Sequence, residues 1–311
     1  MTAGRPPRRS ASTAPPRRAV AHDDPWADWL LHRRDRGDPE IVSRNLPPLN
    51  LVRDLVLDNA EIRAGDVVLD VGSGTGLIAF GALGRVGPAG SVVFSDVSST
   101  LLAFCRARAE EQGHLDRCAF VHAAAEDLRP VADRSVDVVT TRSVLVYVAD
   151  RPAAFAEFFR VLRPGGRISL FEPVGGMAGP APERSLLGVD VTPVEAIAQK
   201  VRDALWTGGL DRLHRLDVRE VISGAERVGF VNIGLDLHVD VQSRQSWPAG
   251  GWDLVKQLAM TPLTPTVEEV LDEVLAAEER RVFETFMRHA LERTQPLSRT
   301  AVTFLRAQRP G

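Results

Sequence analysis

The sequence predicts an α/β fold in which a parallel sheet carries helices on both faces. Short apolar runs alternate with helical patterns from residue 67 to residue 172, which is typical of βαβ units with right-handed crossovers. The first run, Val67–Val71, is almost wholly apolar, as expected for a strand buried on both faces. A glycine cluster follows it and opens a helix, and α/β sheets bind ligands at such places.

Five strands and the helices between them are predicted in this part of the chain. Phe155, Phe158 and Phe159 recur at helical spacing, which places them on the buried face of an amphipathic helix. Other helices are predicted near Leu77 and Leu101. The predicted strands are residues 67–71, 91–95, 119–123, 136–141 and 167–172.

Two helices are predicted before the first strand. Trp26 and Trp29 fit one face of the first helix, and Gly37 is predicted to end that helix. A second helix, over residues 49–59, follows Pro48, because proline is tolerated at a helix start.

Beyond the fifth strand the alternation is interrupted twice. Residues 230–241 alternate apolar and polar side chains and residues 300–307 form a last apolar run, so two further strands are predicted. Helices are predicted at residues 194–205, from Asp217 onwards, and over most of residues 247–297.

The two late strands are expected to complete the sheet that begins at residue 67, so one domain is predicted rather than two. The residues before it are rich in Pro, Arg and Ser, which is typical of a disordered tail. The expected division is a tail at residues 1–24 and a single domain at 25–311, with its core at 49–172, 217–242 and 298–308 and helical cap insertions at 173–216 and 243–297.

The composition excludes several classes of protein. The 311 residues include 38 Lys and Arg against 41 Asp and Glu, a net charge of −3, which is not the basic balance of a dedicated nucleic-acid binder. Cys105 and Cys118, the two cysteines, cannot form a disulfide framework or a four-cysteine zinc site, and no metal site is predicted. No run of about 18 apolar residues occurs, so no membrane-spanning helix is expected, and a cytoplasmic protein is predicted.

The strongest chemical signal is the segment from Asp70 to Gly76, which reads Asp-Val-Gly-Ser-Gly-Thr-Gly. A buried strand delivers an acid, then three glycines at alternate positions, then a helix. Glycine lets the backbone turn sharply and lets a ligand approach closely, and a helix N-terminus offers free N–H groups to an anion. The segment therefore predicts a small-molecule binding loop.

The glycine spacing separates ligand classes. Dinucleotide-binding loops carry the pattern G-x-G-x-x-G, but the third residue after Gly74 is Leu77. A Walker loop needs a lysine before Ser or Thr, and no lysine lies near. The spacing argues against both ligand classes.

In this order of residues the segment resembles the first motif of class I S-adenosylmethionine-dependent methyltransferases. The chain is similar to the small-molecule members of the ubiquinone/menaquinone C-methyltransferase type over residues 49–172. The further matching motifs are Asp96 at the end of the second strand, Ala125–Leu128 after the third, Ser135–Thr141 as the fourth and Phe159–Arg167 as the turn into the fifth.

The resemblance implies a Rossmann-like seven-stranded methyltransferase sheet, with N-terminal lid helices and helical caps over the cofactor. It implies that the cofactor is S-adenosyl-L-methionine, with Asp96 on the ribose hydroxyls and the loop after the third strand on adenine. The cofactor-binding residues implied by these motifs are Asp70, Gly72, Ser73, Gly74, Gly76, Asp96, Val97, Ala125, Glu126 and Thr141.

One position departs from the family's pattern. Where related proteins carry an Asp that reaches the adenine amino group, this chain has Ala124, whose side chain offers no acceptor. The backbone N–H of Ala125 still offers adenine a donor. Glu126 or Asp127 is a candidate to replace the lost acceptor.

Methyl transfer is an in-line displacement that depends mainly on positioning, and a base is needed only when the acceptor starts protonated. The sequence therefore need not show a catalytic residue. Arg142, Tyr147 and Glu172 are candidates on the substrate side, because they follow strands whose carboxyl ends border the ligand site. Arg142 is a candidate to orient an anionic substrate, and Glu172 to act as a base or polar contact.

We expect an enzyme that methylates an oxygen, carbon or nitrogen atom of a small molecule, in biosynthetic or specialised metabolism. The sequence leaves open an RNA or protein methyltransferase, and a non-methylating or non-catalytic protein that binds the same cofactor. Nucleic acid is disfavoured by the net charge. The apolar stripe around Phe283–Leu291 allows a homodimer interface.

Overall fold

The computed structural model describes residues 24–175, 184–206, 216–243, 251–293 and 297–311. The tail predicted at residues 1–24 lies outside these ranges apart from Asp24, and so does part of each cap insertion.

The described strands are β1 Val67–Val71, β2 Ser91–Asp96, β3 Cys118–His122, β4 Val136–Arg142, β5 Leu162–Pro173, β6 Ser185–Leu186, β7 Val189–Asp190, β8 Val231–Ser243 and β9 Leu297–Gln308. Within the described residues, seven of them form one sheet in the order β3-β2-β1-β4-β5-β9-β8, and β6 pairs with β7. Strands β1 to β5 run parallel, and β9 lies antiparallel to both β5 and β8. The late strands therefore complete the sheet, as predicted.

The described helices are α1 Pro25–Asp28, α2 Pro39–Asn59, α3 Leu77–Val86, α4 Ser99–Glu111, α5 Arg151–Val161, α6 Glu195–Leu205, α7 Val218–Val228, α8 Gly251–Val255, α9 Val267–Val274 and α10 Ala277–Arg293. Helices α2, α3 and α4 bury their apolar faces on one side of the sheet, and α5 and α7 on the other. The predicted arrangement of helices on both faces is confirmed.

The second helix starts earlier than predicted. Helix α2 begins at Pro39 and runs through Pro47 and Pro48. Its start is set by Asp38, whose side chain accepts hydrogen bonds from the backbone N–H groups of Glu40 and Ile41, and by proline at the first helical position, where no N–H is needed.

Only part of the apolar face of β8 is buried. The pairing of β8 with β9 shifts register between Val231 and Gly234, and Leu235 beyond the shift packs on the core. Leu237 and Val239 are 38% and 47% exposed. These side chains lie on the edge strand of the sheet, which has a neighbouring strand on one side only.

The cap elements form a separate apolar cluster. Phe283, Met287 and Leu291 of α10 are buried against Trp252 of α8, together with residues of α6 and α9. The stripe considered as a homodimer interface is therefore largely internal, because it supplies the core of the cap.

Candidate functional site

A cavity of about 280 Å³ opens at the carboxyl ends of β1, β2 and β4. This is where the order of the parallel strands reverses, the place where open α/β sheets bind ligands. Its walls also include the turn after β3, the N-terminal lid around Trp26 and Trp29, and Pro262 of the cap.

At two positions of the glycine loop, a residue with a Cβ atom would crowd a neighbouring side chain. Gly72 has φ +67°, and a Cβ there would lie 2.4 Å from Val144 Cγ2. Gly74 has φ +54°, and its Cβ would lie 3.2 Å from Leu30 Cδ1. Both glycines line the cavity. Gly76 does not belong to the cavity wall; its Cβ would meet the Phe80 ring at 2.5 Å, so it serves packing.

Asp96 lies at the rim of the cavity with its carboxylate turned toward the glycine loop. One oxygen accepts from Gly74 N at 2.8 Å and the other from Ser98 N at 2.9 Å. The side chain lines the cavity although the residue is only 5% exposed, and burial raises its pKa. Since each carboxylate oxygen can accept more than one hydrogen bond, acceptor capacity remains for hydroxyl donors.

Asp70 organises the loop from behind. Its carboxylate accepts from Thr140 Oγ1 at 2.9 Å and from Ala79 N at 3.1 Å, which joins β1, β4 and α3. Burial raises its pKa to about 7. Thr141, also implied as a cofactor contact, is fully buried, and the cavity wall does not include it.

The start of α3 presents donors without acceptors. Gly76 precedes the helix and has no side chain to cap it. Within the described ranges, no hydrogen bond engages the N–H groups of Thr75, Leu77 and Ile78, and all three residues line the cavity. The buried hydroxyl of Ser73 also lacks a partner among the described residues. This cradle suits a carboxylate.

The turn after β3 separates the two candidates for the adenine acceptor. Glu126 is exposed and lines the cavity, whereas Asp127 lies outside the wall and both its oxygens are held by Arg129 at 2.6 Å. Ala125 and Val97 line the same end, and in the described part of the chain no acceptor engages the Ala125 N–H. The geometry favours Glu126.

Glu172 lies behind the site and does not line the cavity. Its carboxylate accepts from the backbone N–H groups of Val144, Leu145 and Val146 at 2.9, 2.9 and 3.1 Å. Burial raises its pKa to about 7. A substrate-side role is not supported by this placement, because the acid is fully engaged in holding the loop after β4, where Ser143 has φ +58°.

Arg142 and Tyr147 do line the cavity. The Tyr147 ring meets the Trp26 ring edge to face, with centroids 4.8 Å apart, and burial raises the Tyr147 pKa to about 12. Arg142 is partly buried, and among the described residues its guanidinium has no hydrogen-bond or ion-pair partner.

The lid is fastened at both ends. Ser98 Oγ lies 2.5 Å from Asp24 Oδ2, and Trp29 Nε1 donates to the Ala259 carbonyl of the cap at 2.9 Å. The sequence predicted both the lid and a cap over the pocket, but it did not single out Pro262, the cap residue that lines the cavity. No local signal identifies it, since a single loop proline has no motif.

The described residues lack both a metal-binding cluster and a membrane-spanning helix. They contain no group of three or more His, Cys, Asp or Glu side chains that could hold a metal ion. No helix in the same ranges is long and apolar enough to cross a membrane.

Comparisons with known proteins show which family one segment of the chain resembles. A model of the methyltransferase domain family matches residues 69–170, about one third of the chain. The ubiquinone/menaquinone biosynthesis C-methyltransferase UbiE of Xylella fastidiosa is 40% identical over 113 residues, or 36% of this chain and 44% of that protein. The same enzyme of Hahella chejuensis is 38% identical over 122 residues, or 39% of this chain and 49% of that protein. The chain thus spans less than half the length of these relatives.

Solved structures show the fold. The YcgJ protein of Bacillus subtilis superposes with a TM-score of 0.53 at 18% identity, over 83% of this chain and 98% of that one. The BH2331 protein of Bacillus halodurans gives a TM-score of 0.50 at 19% identity, over 83% and 99%. The Rossmann-like methyltransferase sheet and the family resemblance are confirmed. The match of residues 69–170 to a methyltransferase domain model agrees with the predicted enzyme class and cofactor.

Proposed function

We propose that this chain transfers the methyl group of S-adenosyl-L-methionine to a small-molecule acceptor. The observation that carries the proposal is the order of polar groups along one cavity. Asp96 ends β2, which lies in the sheet between β1, whose glycine loop leads into the α3 cradle, and β3, whose following turn carries Ala125 and Glu126. The cofactor has a carboxylate, a ribose diol and an adenine edge, so these groups match it in chemical type.

Each polar group has an assigned partner in this proposal. The α3 cradle and Ser73 would hold the methionine carboxylate, and Asp96 would accept from the ribose hydroxyls. The Ala125 N–H and the Glu126 carboxylate would meet the adenine edge, in place of the family acid that is missing at Ala124.

The chemistry then reduces to positioning. The bound sulfonium supplies an electrophilic methyl group, while the residues of the chain align the acceptor and exclude water. Trp26, Trp29 and Pro262 close the cavity on the side of the lid and cap, which supports that role. A small acceptor also fits the enclosed cavity better than RNA or a protein chain.

The acids that line the described wall have other partners in this proposal, because Asp70 accepts from Thr140 Oγ1 and Ala79 N, and Asp96 and Glu126 are assigned to the cofactor. Neither Glu172 nor Tyr147 is placed to act as a base at neutral pH. The Glu172 carboxylate is committed to three backbone N–H groups, and the Tyr147 pKa of about 12 keeps that phenol protonated. We therefore expect an acceptor that arrives as an anion or as a free amine. Carbon methylation is supported by the names of the UbiE relatives, and oxygen and nitrogen remain alternatives.

We further propose a single domain over residues 25–311 and a cytoplasmic location. A homodimer also stays a proposal. The apolar stripe of α10 does not support it, because those side chains are buried within the cap.

The test is turnover with labelled cofactor. The purified chain is incubated with methyl-labelled S-adenosylmethionine and separate panels of small molecules, RNA and protein. Formation of S-adenosylhomocysteine together with one labelled small product is expected, and Asp96→Ala should abolish it. Labelled RNA or protein would overturn the small-molecule assignment. Tight cofactor binding without turnover on any panel would overturn catalysis.

A further inference from the structure

We infer that Arg142 recognises an anionic group on the acceptor, so that the pocket takes small molecules with a carboxylate or phosphate beside an apolar body. The inference rests on the proposed function, whose acceptor class it names. It begins from a guanidinium that lines the cavity and has no hydrogen-bond or ion-pair partner in the part of the chain that the structure describes.

An arginine in such a place normally has an acceptor. Buried charges in proteins are usually paired, because removing them from water is costly. Arg142 is partly buried in the cavity wall, and no carboxylate oxygen of the described residues lies within 4.0 Å of its nitrogens. Its hydrogen-bond donors are therefore available to a ligand.

The nearest acids are already committed. The negative charges of Asp70 and Glu172 act on Arg142, but the Asp70 oxygens accept from Thr140 and from a backbone N–H of α3. The Glu172 oxygens accept from three backbone N–H groups. Turning either carboxylate toward Arg142 would leave those buried donors unsatisfied, which is costly.

A second cation, Arg34, acts on Arg142 but is itself paired. After burial, the charge of Arg34 is the largest factor that lowers the pKa of Arg142. Arg34 pairs with Asp35 at 2.7 Å and does not line the cavity, so Arg142 is the cation that faces the ligand space.

The cofactor carboxylate has its own donors at the start of α3, so Arg142 remains for the acceptor. The same cavity wall includes apolar and aromatic side chains, among them Trp26, Tyr147, Val148 and Pro262. A guanidinium pairs with carboxylate and phosphate through two parallel hydrogen bonds, whereas these side chains suit an apolar body.

The experiment uses the full chain saturated with S-adenosylhomocysteine and pairs of probes that differ in charge. The pairs are acetate and acetamide, benzoate and benzamide, and 3-phenylpropionate and 3-phenylpropionamide, with benzyl phosphate as the phosphate probe. Calorimetry measures each affinity for the wild-type chain, for Arg142→Gln and for Arg219→Gln, an exposed arginine paired with Asp217 that serves as the matched control.

At least one acid is expected to bind the wild-type chain and the control more tightly than its amide. Arg142→Gln should remove this preference, by roughly 10- to 100-fold in affinity, while S-adenosylhomocysteine affinity stays within a factor of about three. Preference for benzyl phosphate over every acid would assign the anion as phosphate.

Three results would overturn the inference or its premise. If no acid is preferred over its amide and benzyl phosphate does not bind, or if Arg142→Gln keeps the preference, Arg142 does not recognise the acceptor. If Arg142→Gln instead loses S-adenosylhomocysteine affinity, the residue binds the cofactor carboxylate. If the wild-type chain itself does not bind S-adenosylhomocysteine, the proposed function fails, whatever the acids do.

Discussion

Substitution of Gly72 by alanine tests whether the glycine loop is built for close packing against the loop after β4. Gly72 has φ +67°, and a Cβ there would lie 2.4 Å from Val144 Cγ2. Gly113 supplies a matched control, because its φ is +70° and a Cβ there would meet nothing within 4 Å. The two variants share the backbone strain and differ in the collision.

The magnitudes follow from these two contributions. A left-handed conformation costs an alanine about 1–2 kcal/mol, so Gly113→Ala should lose that much stability. Carbon atoms pack at about 3.5–4.0 Å, so Gly72→Ala also forces Val144 to retreat by roughly 1 Å or more. Overpacking of this kind costs about 1–3 kcal/mol. The total expected for Gly72→Ala is about 2–5 kcal/mol.

The assay is equilibrium unfolding in urea, read from the midpoint at constant slope. Val144→Ala in the Gly72→Ala background should recover the collision energy, about 1–3 kcal/mol, in a double-mutant cycle. Equal losses for the two glycine variants, or no recovery with Val144→Ala, would refute the packing explanation and leave only backbone strain.

Three further outcomes are expected. Asp96→Asn should weaken S-adenosylhomocysteine binding by roughly 10- to 100-fold in calorimetry, because a charged acceptor for two hydroxyls is lost. Unchanged affinity would contradict the assignment of Asp96 to the ribose. Glu126→Ala should weaken the same binding by roughly 3- to 10-fold, while Asp127→Ala, whose carboxylate is held by Arg129, should not; equal effects would contradict the choice of Glu126. The pKa of Glu172 is raised from 4.5 to about 7, so the folded state binds this proton more tightly than the unfolded state does. The resulting contribution to stability, about 3 kcal/mol, is fully present below about pH 4.5 and is lost as the pH rises toward 7. Denaturant midpoints across pH 4–8 should therefore flatten in Glu172→Gln relative to the wild-type chain, and parallel curves would argue against the raised pKa.

The order and type of the central elements could be predicted from the sequence because their signals are local. Val67–Val71 is apolar except for Asp70 because both faces of the strand are covered, and the three glycines that follow stand at alternate positions in one short loop. The start of α2 was placed wrongly because the prolines at 47 and 48 suggested a helix boundary, whereas Asp38 caps the helix nine residues earlier.

Not every role of the acidic residues could be predicted in the same way. Asp70, Asp96 and Glu172 all lie within one residue of the carboxyl end of a strand, and only the family motifs set Asp70 and Asp96 apart in the sequence. Only the fold turns Asp96 to the cavity wall and Glu172 onto a run of three backbone N–H groups. Likewise, Asp127 could be set apart from Glu126 only once the Arg129 pair was visible.

The sequence by itself determined that this chain has a parallel sheet with a glycine loop, an acid at the end of the second strand and the motifs of a methyltransferase domain. These features depend on residues close together along the chain, where spacing fixes geometry. The tertiary structure alone decided which acids line the cavity, that Pro262 of the cap reaches it, and that Arg142 has no partner there among the described residues. Those facts depend on contacts between distant segments, since Asp70 and Glu172 accept hydrogen bonds from other groups.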